Sequence, residues 1–282
     1  MTDMNHLLTR VDALIDRLEK FLPEQPTVID WNAPAFYWRR SVPSGFLEAV
    51  YKPHFIALDA LKNVDQQKAV ILRNTERFAS GKAANNVLLT GSRGTGKSTL
   101  IKSCWHHCAA HNTTLKLVEI DKPDLADLPK LLALLADRAE RFIIYCDDLS
   151  FEEGEIHYKA LKSALDGSIC APGDNILFYA TSNRRHLLPH TMRENLETTY
   201  DGEDIRPGDS IEEKTSLSER FGIWLSFYPF RQEEYLAAAE YWVAAMGGEW
   251  GEDTREHALR WAMTRNSRSG RVAWQFARDY VE

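Results

Sequence analysis

A glycine-rich run in the first half of the chain has the residue types and spacing needed to hold phosphate groups. The run Gly91-Ser92-Arg93-Gly94-Thr95-Gly96-Lys97-Ser98 fits the pattern G-x-x-x-x-G-K-[ST]. Glycines let the backbone turn its N–H groups inward around anionic oxygens, and the N-terminus of a following helix adds unpaired donors. We expect Lys97 to reach the β- and γ-phosphates of a nucleotide, and the Ser98 hydroxyl to hold Mg²⁺.

The residues on either side of this run predict the elements that would position it. Residues 86–90 form a short apolar run typical of a buried strand, and residues 99–105 have helical spacing. A strand, a glycine loop and a helix N-terminus together are the geometry that a triphosphate requires. A chance match on a Gly/Ser turn is the alternative, and the flanking elements argue against it. The predicted nucleotide-binding residues are Gly91, Ser92, Arg93, Gly94, Thr95, Gly96, Lys97, Ser98 and Thr99.

A second apolar run ends in two adjacent acids. Residues 141–146 predict a strand, which Asp147 and Asp148 follow directly. Two neighbouring carboxylates are costly to bury without a cation, which favours a metal site over a surface turn. We predict that Asp147 and Ser98 hold Mg²⁺, the former directly or through water. Asp148 would orient an attacking water and help to deprotonate it.

Length and composition restrict the class of protein. The 282 residues, 44% of them apolar, allow one large domain or two moderate ones. A formal charge of −7 does not favour generic binding to nucleic acid, which usually needs a basic face, although a local basic patch stays compatible with it. No signal peptide or membrane-length apolar stretch is visible, so we expect a cytoplasmic protein that does not bind membranes. Three of four cysteines lie in segments predicted to be buried, which favours reduced thiols: Cys104, Cys108 and Cys146, but not Cys170.

Strands and helices alternate between residues 86 and 230, which is the pattern of a parallel sheet covered by helices. The predicted strands are residues 87–90, 115–120, 142–146, 176–181 and 223–227. The predicted helices after residue 50 include residues 54–80, 233–246, 254–264 and 271–281. The Asp-, Glu-, Gly- and Pro-rich residues 198–213 predict a solvated loop.

The N-terminal region has two parts. Apolar residues recur at i, i+3 and i+4 over residues 5–22 and predict an amphipathic helix, which packs on the protein's own core or on a partner. Residues 23–45 combine several prolines with aromatic residues. Prolines at that density exclude a long helix, so we predict an ordered connector anchored by its aromatic side chains.

The order of the motifs resembles that of the AAA+ ATPases. It consists of the run 91–98, the strand ending in Asp147-Asp148, the strand ending in Asn183, and the segment Leu217-Ser218-Glu219-Arg220-Phe221-Gly222. The likeness is closest to an uncharacterised bacterial AAA+ group, a domain of unknown function, and it covers residues 50–282. It implies an α/β fold: a three-layer αβα core of the P-loop NTPase kind with a parallel sheet, then a small C-terminal helical lid, often in a hexameric ring.

The resemblance also divides the chain into three parts. These are an N-terminal helix and connector over residues 1–50, an ATPase core over residues 51–230, and a helical lid over residues 231–282.

Three polar residues gain roles from the resemblance by their positions. Asn183 matches the sensor-1 residue that bridges the attacking water and the γ-phosphate, with a turn-forming Asn as the alternative. Arg220 matches the arginine finger that reaches a neighbouring subunit's site, with a surface ion pair as the alternative. Arg271 opens the last helix and resembles the sensor-2 arginine that ties the lid to the γ-phosphate, although Arg268 competes for this assignment.

One position departs from the family pattern. Many AAA+ proteins place Glu after the magnesium-binding Asp, whereas this chain has Asp148. The shorter side chain reaches less far, so slow hydrolysis is expected. A similar Asp-Asp pair occurs in the replication-initiator branch, which keeps hydrolysis compatible with the sequence.

The resemblance implies ligands and partners as well. We expect ATP or ADP with Mg²⁺, a homo-oligomer with shared sites, and ATP hydrolysis that drives conformational work on an unidentified macromolecular partner, most simply a protein. One alternative is a nucleotide-dependent, DNA-associated switch like helicase loaders or initiators. Another is a small-molecule kinase, which would need a second substrate site and no contribution from Arg220.

Residues 104–111 also contain cysteines and histidines, the residue types that bind zinc. Cys104 and Cys108, like two of the histidines, are spaced i, i+4 on the predicted helix. Ile101 and Trp105 join both cysteines in one apolar stripe, which predicts packing on the sheet with the histidines toward solvent. We favour the apolar stripe over the zinc site.

Overall fold

The structure is a computed structural model that describes residues 28–41, 45–151, 155–165, 174–184, 187, 199–201, 204–206 and 220–281. The helix predicted over residues 5–22, Cys170, residues 217–219 and much of the predicted loop 198–213 lie outside these ranges. Within the described ranges, no helix combines the length and apolar character needed to cross a membrane.

A seven-stranded sheet forms the centre of the molecule. Its strands are β1 (Ala35–Arg39), β2 (Phe46–Val50), β3 (Val87–Gly91), β4 (Leu115–Glu119), β5 (Arg141–Cys146), β6 (Ile176–Ser182) and β9 (Ile223–Phe227). Their order is β2-β1-β4-β5-β6-β3-β9, and every neighbouring pair is parallel except β1 and β2. The central strands are apolar along their length because helices cover both faces of the sheet.

The helices form the two outer layers and a C-terminal group. They are α1 (Asp65–Ala79), α2 (Lys97–Ala109), α3 (Leu128–Ala136), α4 (Ile156–Leu165), α5 (Gln232–Ala245), α6 (Glu252–Thr264) and α7 (Gly270–Tyr280), with 3-10 turns at Leu58–Ala60 and Lys122–Asp127. Helices α1 and α2 share one apolar cluster with the sheet, and α3 and α4 share another with its opposite face. The predicted three-layer αβα core is therefore confirmed.

Helices α5, α6 and α7 have an apolar core of their own. Phe230, Val243 and Phe276 belong to this third cluster, which is separate from both clusters on the sheet. The buried Tyr235 hydroxyl donates to the carbonyl oxygen of Ala258 at 2.9 Å and ties α5 to α6. These three helices agree with the predicted C-terminal helical region, whose first, second and third helices begin and end within two residues of the expected positions.

Two N-terminal strands were not predicted. The aromatic connector forms β1 and β2, and β1 extends the sheet by pairing in parallel with β4. Phe36 and Trp38 share one face of β1 and are buried in the cluster on the α3 and α4 side. Their burial explains the aromatic content of this segment, because large apolar side chains on a strand stabilise it when one face is covered.

Two other predictions differ from the structure in their bounds. The helix predicted over residues 54–80 begins only at Asp65. Asn63 has a φ of +61°, which a right-handed helix does not accommodate. The predicted solvated loop 198–213 contains a short antiparallel strand pair, β7 (Thr199–Asp201) and β8 (Asp204–Arg206).

Candidate functional site

The predicted site residues converge where three parallel strands end. Strand β6 lies between β3 and β5, so the loops that follow these strands meet at one edge of the sheet. The glycine run follows β3, Asp147 and Asp148 follow β5, and Asn183 follows β6. The carboxyl ends of parallel strands are the usual place for ligands in open α/β sheets.

The glycine run has the backbone conformation that its sequence predicts. Gly91, Gly94 and Gly96 have φ values of +133°, +78° and +96°, in the region that favours glycine. A Cβ atom at Gly91 would lie only 1.9 Å from the carbonyl oxygen of Phe227 on β9. Helix α2 starts at Lys97, so its unpaired N–H groups and positive dipole end lie at the end of the loop.

Lys97 lies at the floor of this loop. Its ammonium group donates to the carbonyl oxygens of Gly91 and Ser92, both at 2.7 Å, and to Asn183 Oδ1 at 3.0 Å. Burial lowers the pKa of Lys97, although the nearby Asp147 and Asp148 oppose this shift. The ammonium group is thus fixed between the loop and the end of β6.

Asp147 and Ser98 form a pair of oxygen ligands. Asp147 Oδ1 accepts a hydrogen bond from Ser98 Oγ at 2.7 Å and another from Thr181 Oγ1. Burial alone would raise the pKa of Asp147, but the hydrogen bonds from Thr181 and Ser98 outweigh it and keep the pKa below its usual value. An ionised carboxylate beside a hydroxyl is a hard-oxygen set, which suits Mg²⁺. These residues therefore fit the cation that the sequence predicts.

Asp148 has an unusual backbone conformation that directs its carboxylate across the site. Its φ is +50°, which is rare for a residue with a side chain. Its backbone N–H donates to Thr181 Oγ1 at 3.1 Å, Asn183 Nδ2 donates to its Oδ1 at 2.6 Å, and Arg93 Nη2 lies 3.4 Å from its Oδ2. Such strain is typical of functional sites, where surrounding contacts hold it in place.

Sequence reasoning missed Thr181, although its hydroxyl joins both acids. It donates to Asp147 and accepts from the backbone of Asp148. The residue lies on β6, distant from both acids in the sequence but next to both in the sheet. The only sequence signal was a hydroxyl residue two positions before Asn183 at a predicted strand end.

A cavity of about 630 Å³ separates the glycine run from the C-terminal helices. Residues 93–99 line it together with Asp147, Asp148 and Asn183. A volume of this size is in the range of small-molecule and cofactor sites. Gly91 and Ser92 are not among the lining residues, and their carbonyl oxygens accept hydrogen bonds from the ammonium group of Lys97.

Arg271 lines this cavity from the C-terminal side. It opens α7, and its backbone N–H donates to the carbonyl oxygen of Gly94 at 3.3 Å. Arg268 is not among the lining residues, and its carbonyl oxygen accepts from the backbone of Phe230 at 3.2 Å. Of the two arginines that the sequence left open, the structure brings Arg271 to the site.

The cavity lining also has an apolar part, which was not predicted. Its lining includes Ile56, Leu61, Val64, Phe230, Trp242 and Trp274. The segment before α1 contacts α5 here, because Asn63 Nδ2 donates to the carbonyl oxygen of Glu234 at 2.7 Å and the Lys62 ammonium lies 4.2 Å from the centre of the Tyr241 ring. The lining thus combines polar groups with apolar and aromatic side chains that suit a flat aromatic group.

Arg220 lies outside the cavity of its own chain. It precedes β9 by three residues and is partly exposed. It is not among the residues that line the cavity.

Comparison with known proteins identifies the family. A family described as "Protein of unknown function (DUF815)" matches residues 31–282. The chain belongs to the DUF815 family. No curated protein sequence matches it.

Solved structures share the fold of the DUF815 protein. A point variant of Thermotoga maritima RuvB is 19% identical, with a TM-score of 0.53 over 79% of this chain and 63% of that chain. Aeropyrum pernix ORC1 in complex with DNA is 16% identical, with a TM-score of 0.53 over 79% and 59%. A chain of the E. coli MS115-1 HORMA:CdnC:Trip13 complex is 12% identical, with a TM-score of 0.51 over 79% and 90%. The DUF815 chain therefore spans less than two thirds of RuvB and ORC1. The likeness confirms the predicted α/β fold of the P-loop NTPase kind.

The cysteine- and histidine-rich helix of the DUF815 protein packs as its apolar stripe predicts. Ile101, Cys104, Trp105 and Cys108 are all buried in the cluster beneath α1 and α2. Burial raises the pKa of Cys104 and raises that of Cys108 to about 12, so both thiols stay protonated at neutral pH. His106 is not part of this apolar stripe and stacks on Phe55, with ring centres 3.3 Å apart.

Replacement of Gly94 by alanine is expected to separate the loop of the DUF815 protein from α7. The new Cβ would lie 2.7 Å from Ser269 Oγ at a φ of +78°. Strain at such a position costs about 1–2 kcal/mol before the clash is counted, so we expect a lower unfolding temperature and weaker nucleotide binding. Gly247→Ala is the matched control, because its φ is +88° but no atom lies within 4 Å of the new Cβ. Equal effects of both variants on nucleotide affinity would contradict the role of the loop contact.

Proposed function

We propose that the DUF815 protein is an AAA+ ATPase that binds ATP with Mg²⁺ and hydrolyses it slowly. The free energy of ATP hydrolysis would drive conformational work on a macromolecular partner. The observation that carries this proposal is the convergence of Lys97, Asp147, Asp148 and Arg271 on one cavity beside a glycine loop. Four groups suited to a triphosphate, gathered from distant parts of the chain, are hard to explain by packing alone.

The phosphates would occupy the polar part of this cavity. Backbone N–H groups of the glycine run and the N-terminus of α2 supply neutral donors for phosphate oxygens. Lys97 supplies a fixed positive charge, and Arg271, which also lines the cavity, supplies a second. Two cations beside a γ-phosphate would stabilise the charge that develops as the phosphoryl group leaves.

Ser98 and Asp147 would hold Mg²⁺ next to these phosphates. When bound, the cation neutralises charge on the phosphate oxygens and orients them. Thr181 keeps the carboxylate of Asp147 turned toward Ser98 through its hydrogen bond. The protein therefore supplies a preformed pair of ligands rather than one that must assemble.

Asp148 and Asn183 would position the attacking water. Asn183 joins Lys97 to Asp148, because its Oδ1 accepts from the Lys97 ammonium group at 3.0 Å and its Nδ2 donates to the Asp148 carboxylate at 2.6 Å. The Asp148 carboxylate is about half exposed, at 49% of its side-chain surface, so water can reach it. It would accept the proton as the water attacks.

The C-terminal helices would couple this chemistry to movement. We propose residues 51–230 as the ATPase core and residues 231–282 as a lid, while β1 and β2 within residues 1–50 extend the core sheet. The loop contacts the lid through Gly94 and Arg271, and Asn63 contacts it through Glu234. A nucleotide that contacts both the polar and the apolar part of the cavity would therefore change how the lid sits on the core. Arg220 would act on a neighbouring copy of the chain.

Replacement of Asp148 by alanine is expected to keep ATP binding and to lower hydrolysis by about 10²-fold or more, because the positioned proton acceptor is lost. Equilibrium binding of ATP and phosphate release would be measured on the same preparation. Asp137→Ala is the control, since Asp137 is exposed at the end of α3 and does not line the cavity. Wild-type turnover in Asp148→Ala would contradict the role of this acid. The slow variant would also serve to capture partners bound in the ATP state.

A DNA-associated switch is the second candidate function. The fold is shared with ORC1, which was solved in complex with DNA, and Asp147-Asp148 is similar to the Asp-Asp pair of the replication-initiator branch. The net charge of −7 counts against broad contact with phosphate backbones. Turnover that rises with single-stranded DNA and loses this response as salt increases would favour the switch. Turnover that ignores DNA at every salt concentration would leave the protein partner as the better proposal.

A further inference from the structure

The hydroxyl group of Tyr145 is buried close to the proposed cation ligands. The side chain is fully buried, and its hydroxyl makes no hydrogen bond within the part of the chain that the structure describes. Buried tyrosine hydroxyls usually have a partner, because they lose hydrogen bonds to water on folding. An unpaired hydroxyl at this place therefore calls for a ligand.

The position of Tyr145 on β5 directs it toward this ligand. Tyr145 comes two residues before Asp147, and side chains two apart on a strand point to the same face of the sheet. Burial raises the pKa of Tyr145, the charge of Asp147 raises it further, and a hydrogen-bonding interaction with Ser98 lowers it. The hydroxyl therefore lies beside Ser98 and Asp147, but its contact with neither has the distance and angle of a full hydrogen bond.

The ring of Tyr145 is held in this orientation by helix α2. The Lys102 ammonium lies 5.2 Å from the ring centre and is itself paired with Glu119 at 2.9 Å. Lys102 follows Ser98 by one helical turn, so both side chains lie on the same face of α2. The ring is enclosed between this helix and the sheet, in the apolar cluster that they share.

We propose that Tyr145 is a positioning residue for a divalent cation, whose bound water receives a hydrogen bond from the Tyr145 hydroxyl. This inference rests on the proposed function, because the cation is held by Ser98 and Asp147. Asp147 Oδ1 already accepts from Ser98 and Thr181, whereas the phenol hydroxyl beside them can still donate to a bound water. Mg²⁺ keeps several of its waters in protein sites, and such waters need polar partners.

Tyr179 provides a matched comparison. It lies on β6 directly opposite Tyr145 in the sheet and is also fully buried. Its hydroxyl already has two partners, Asn74 Nδ2 at 2.9 Å and Thr75 Oγ1 at 3.0 Å. Loss of this hydroxyl removes satisfied hydrogen bonds, whereas loss of the Tyr145 hydroxyl removes an unsatisfied group.

The test measures the affinity for Mn²⁺ by electron paramagnetic resonance, with a saturating non-hydrolysable ATP analogue bound to the full-length protein. We expect Tyr145→Phe to raise the apparent Kd for Mn²⁺ by about 10-fold, in the range found when outer-shell partners of a metal are removed. Its affinity for the analogue without metal and its unfolding temperature should match those of the wild type. We expect Tyr179→Phe to lower the unfolding temperature and to leave the Kd for Mn²⁺ unchanged.

The outcomes separate this inference from the proposed function. Wild-type Mn²⁺ affinity in Tyr145→Phe, with the analogue bound normally, overturns the role of Tyr145 and leaves the ATPase proposal intact. Equal weakening of Mn²⁺ binding by Tyr145→Phe and Tyr179→Phe overturns it too, because that result indicates a general loss of packing. A wild-type protein that binds neither the analogue nor Mn²⁺ overturns both proposals.

Discussion

The Arg220→Ala variant is expected to bind ATP like the wild type and to hydrolyse it about 10³–10⁵-fold more slowly. A guanidinium group delivered from a neighbouring chain would neutralise charge on the phosphoryl group as it leaves. Arg220 suits this role because it lies outside the cavity of its own chain. It also precedes β9, the outermost strand at that end of the described sheet. Phosphate release and ATP binding, measured over a range of protein concentrations, check the prediction.

Mixing two inactive variants tests whether the site is shared between chains. Arg220→Ala subunits retain an intact loop, and Lys97→Ala subunits retain an intact Arg220. We expect a mixture to regain part of the wild-type turnover. Where an Arg220→Ala subunit lies beside a Lys97→Ala subunit, the intact loop of the first and the intact Arg220 of the second can form one complete site. Arg260→Ala is the control, since Arg260 is an exposed residue of α6 paired with Glu256. No recovery in the mixture, or full turnover by Arg220→Ala alone, would count against the arginine finger.

The Lys97→Ala variant is expected to lose most of its affinity for ATP and to turn over at least about 10²–10³-fold more slowly, the loss typical for removing one preorganised charge-stabilising group. Lys97 is the buried cation at the floor of the loop, with three oxygen partners. Its removal also takes one donor from each of those oxygens, so the unfolding temperature should fall slightly. Calorimetric titration with ATP and Mg²⁺ measures the affinity.

Two further variants test whether the loss of ATP affinity in Lys97→Ala is specific to that side chain. Lys82→Ala removes an exposed lysine after α1 and should bind ATP like the wild type. Lys97→Arg keeps the charge but not the shape, because a planar guanidinium cannot occupy the place of a compact ammonium. We expect it to bind ATP weakly as well. Wild-type affinity in Lys97→Ala would contradict a phosphate role for this side chain.

The parallel strands of the core were predictable because the residues that define each strand are neighbours in the sequence. Strands buried on both faces are continuous apolar runs, and turn-forming residues bound them, so β3, β5 and β6 are visible in the sequence. Strands β1 and β2 were not, because prolines flank them and their aromatic residues suit a connector equally well. The start of α1 was wrong because apolar spacing gives no sign of the left-handed backbone at Asn63.

The candidate site was predictable only where one short motif contains the chemistry. The glycine run and the acid pair each bring their residues together within a few positions. Thr181 is brought to both acids by the register between β5 and β6, which local spacing does not encode. The apolar part of the cavity lining combines Leu61, Trp242 and Trp274 from three distant segments, and only the packing of α5 and α7 on the loop brings them together.

Phosphate release from ATP is the measurement that tests the central claim most directly, with wild type and Lys97→Ala compared at equal concentration. The claim is that ATP is hydrolysed in the cavity between the glycine run and the C-terminal helices. We predict slow, Mg²⁺-dependent release by the wild type that falls to background in the variant. Equal rates in both proteins, or no release by the wild type in any oligomeric state or with any partner, would contradict it.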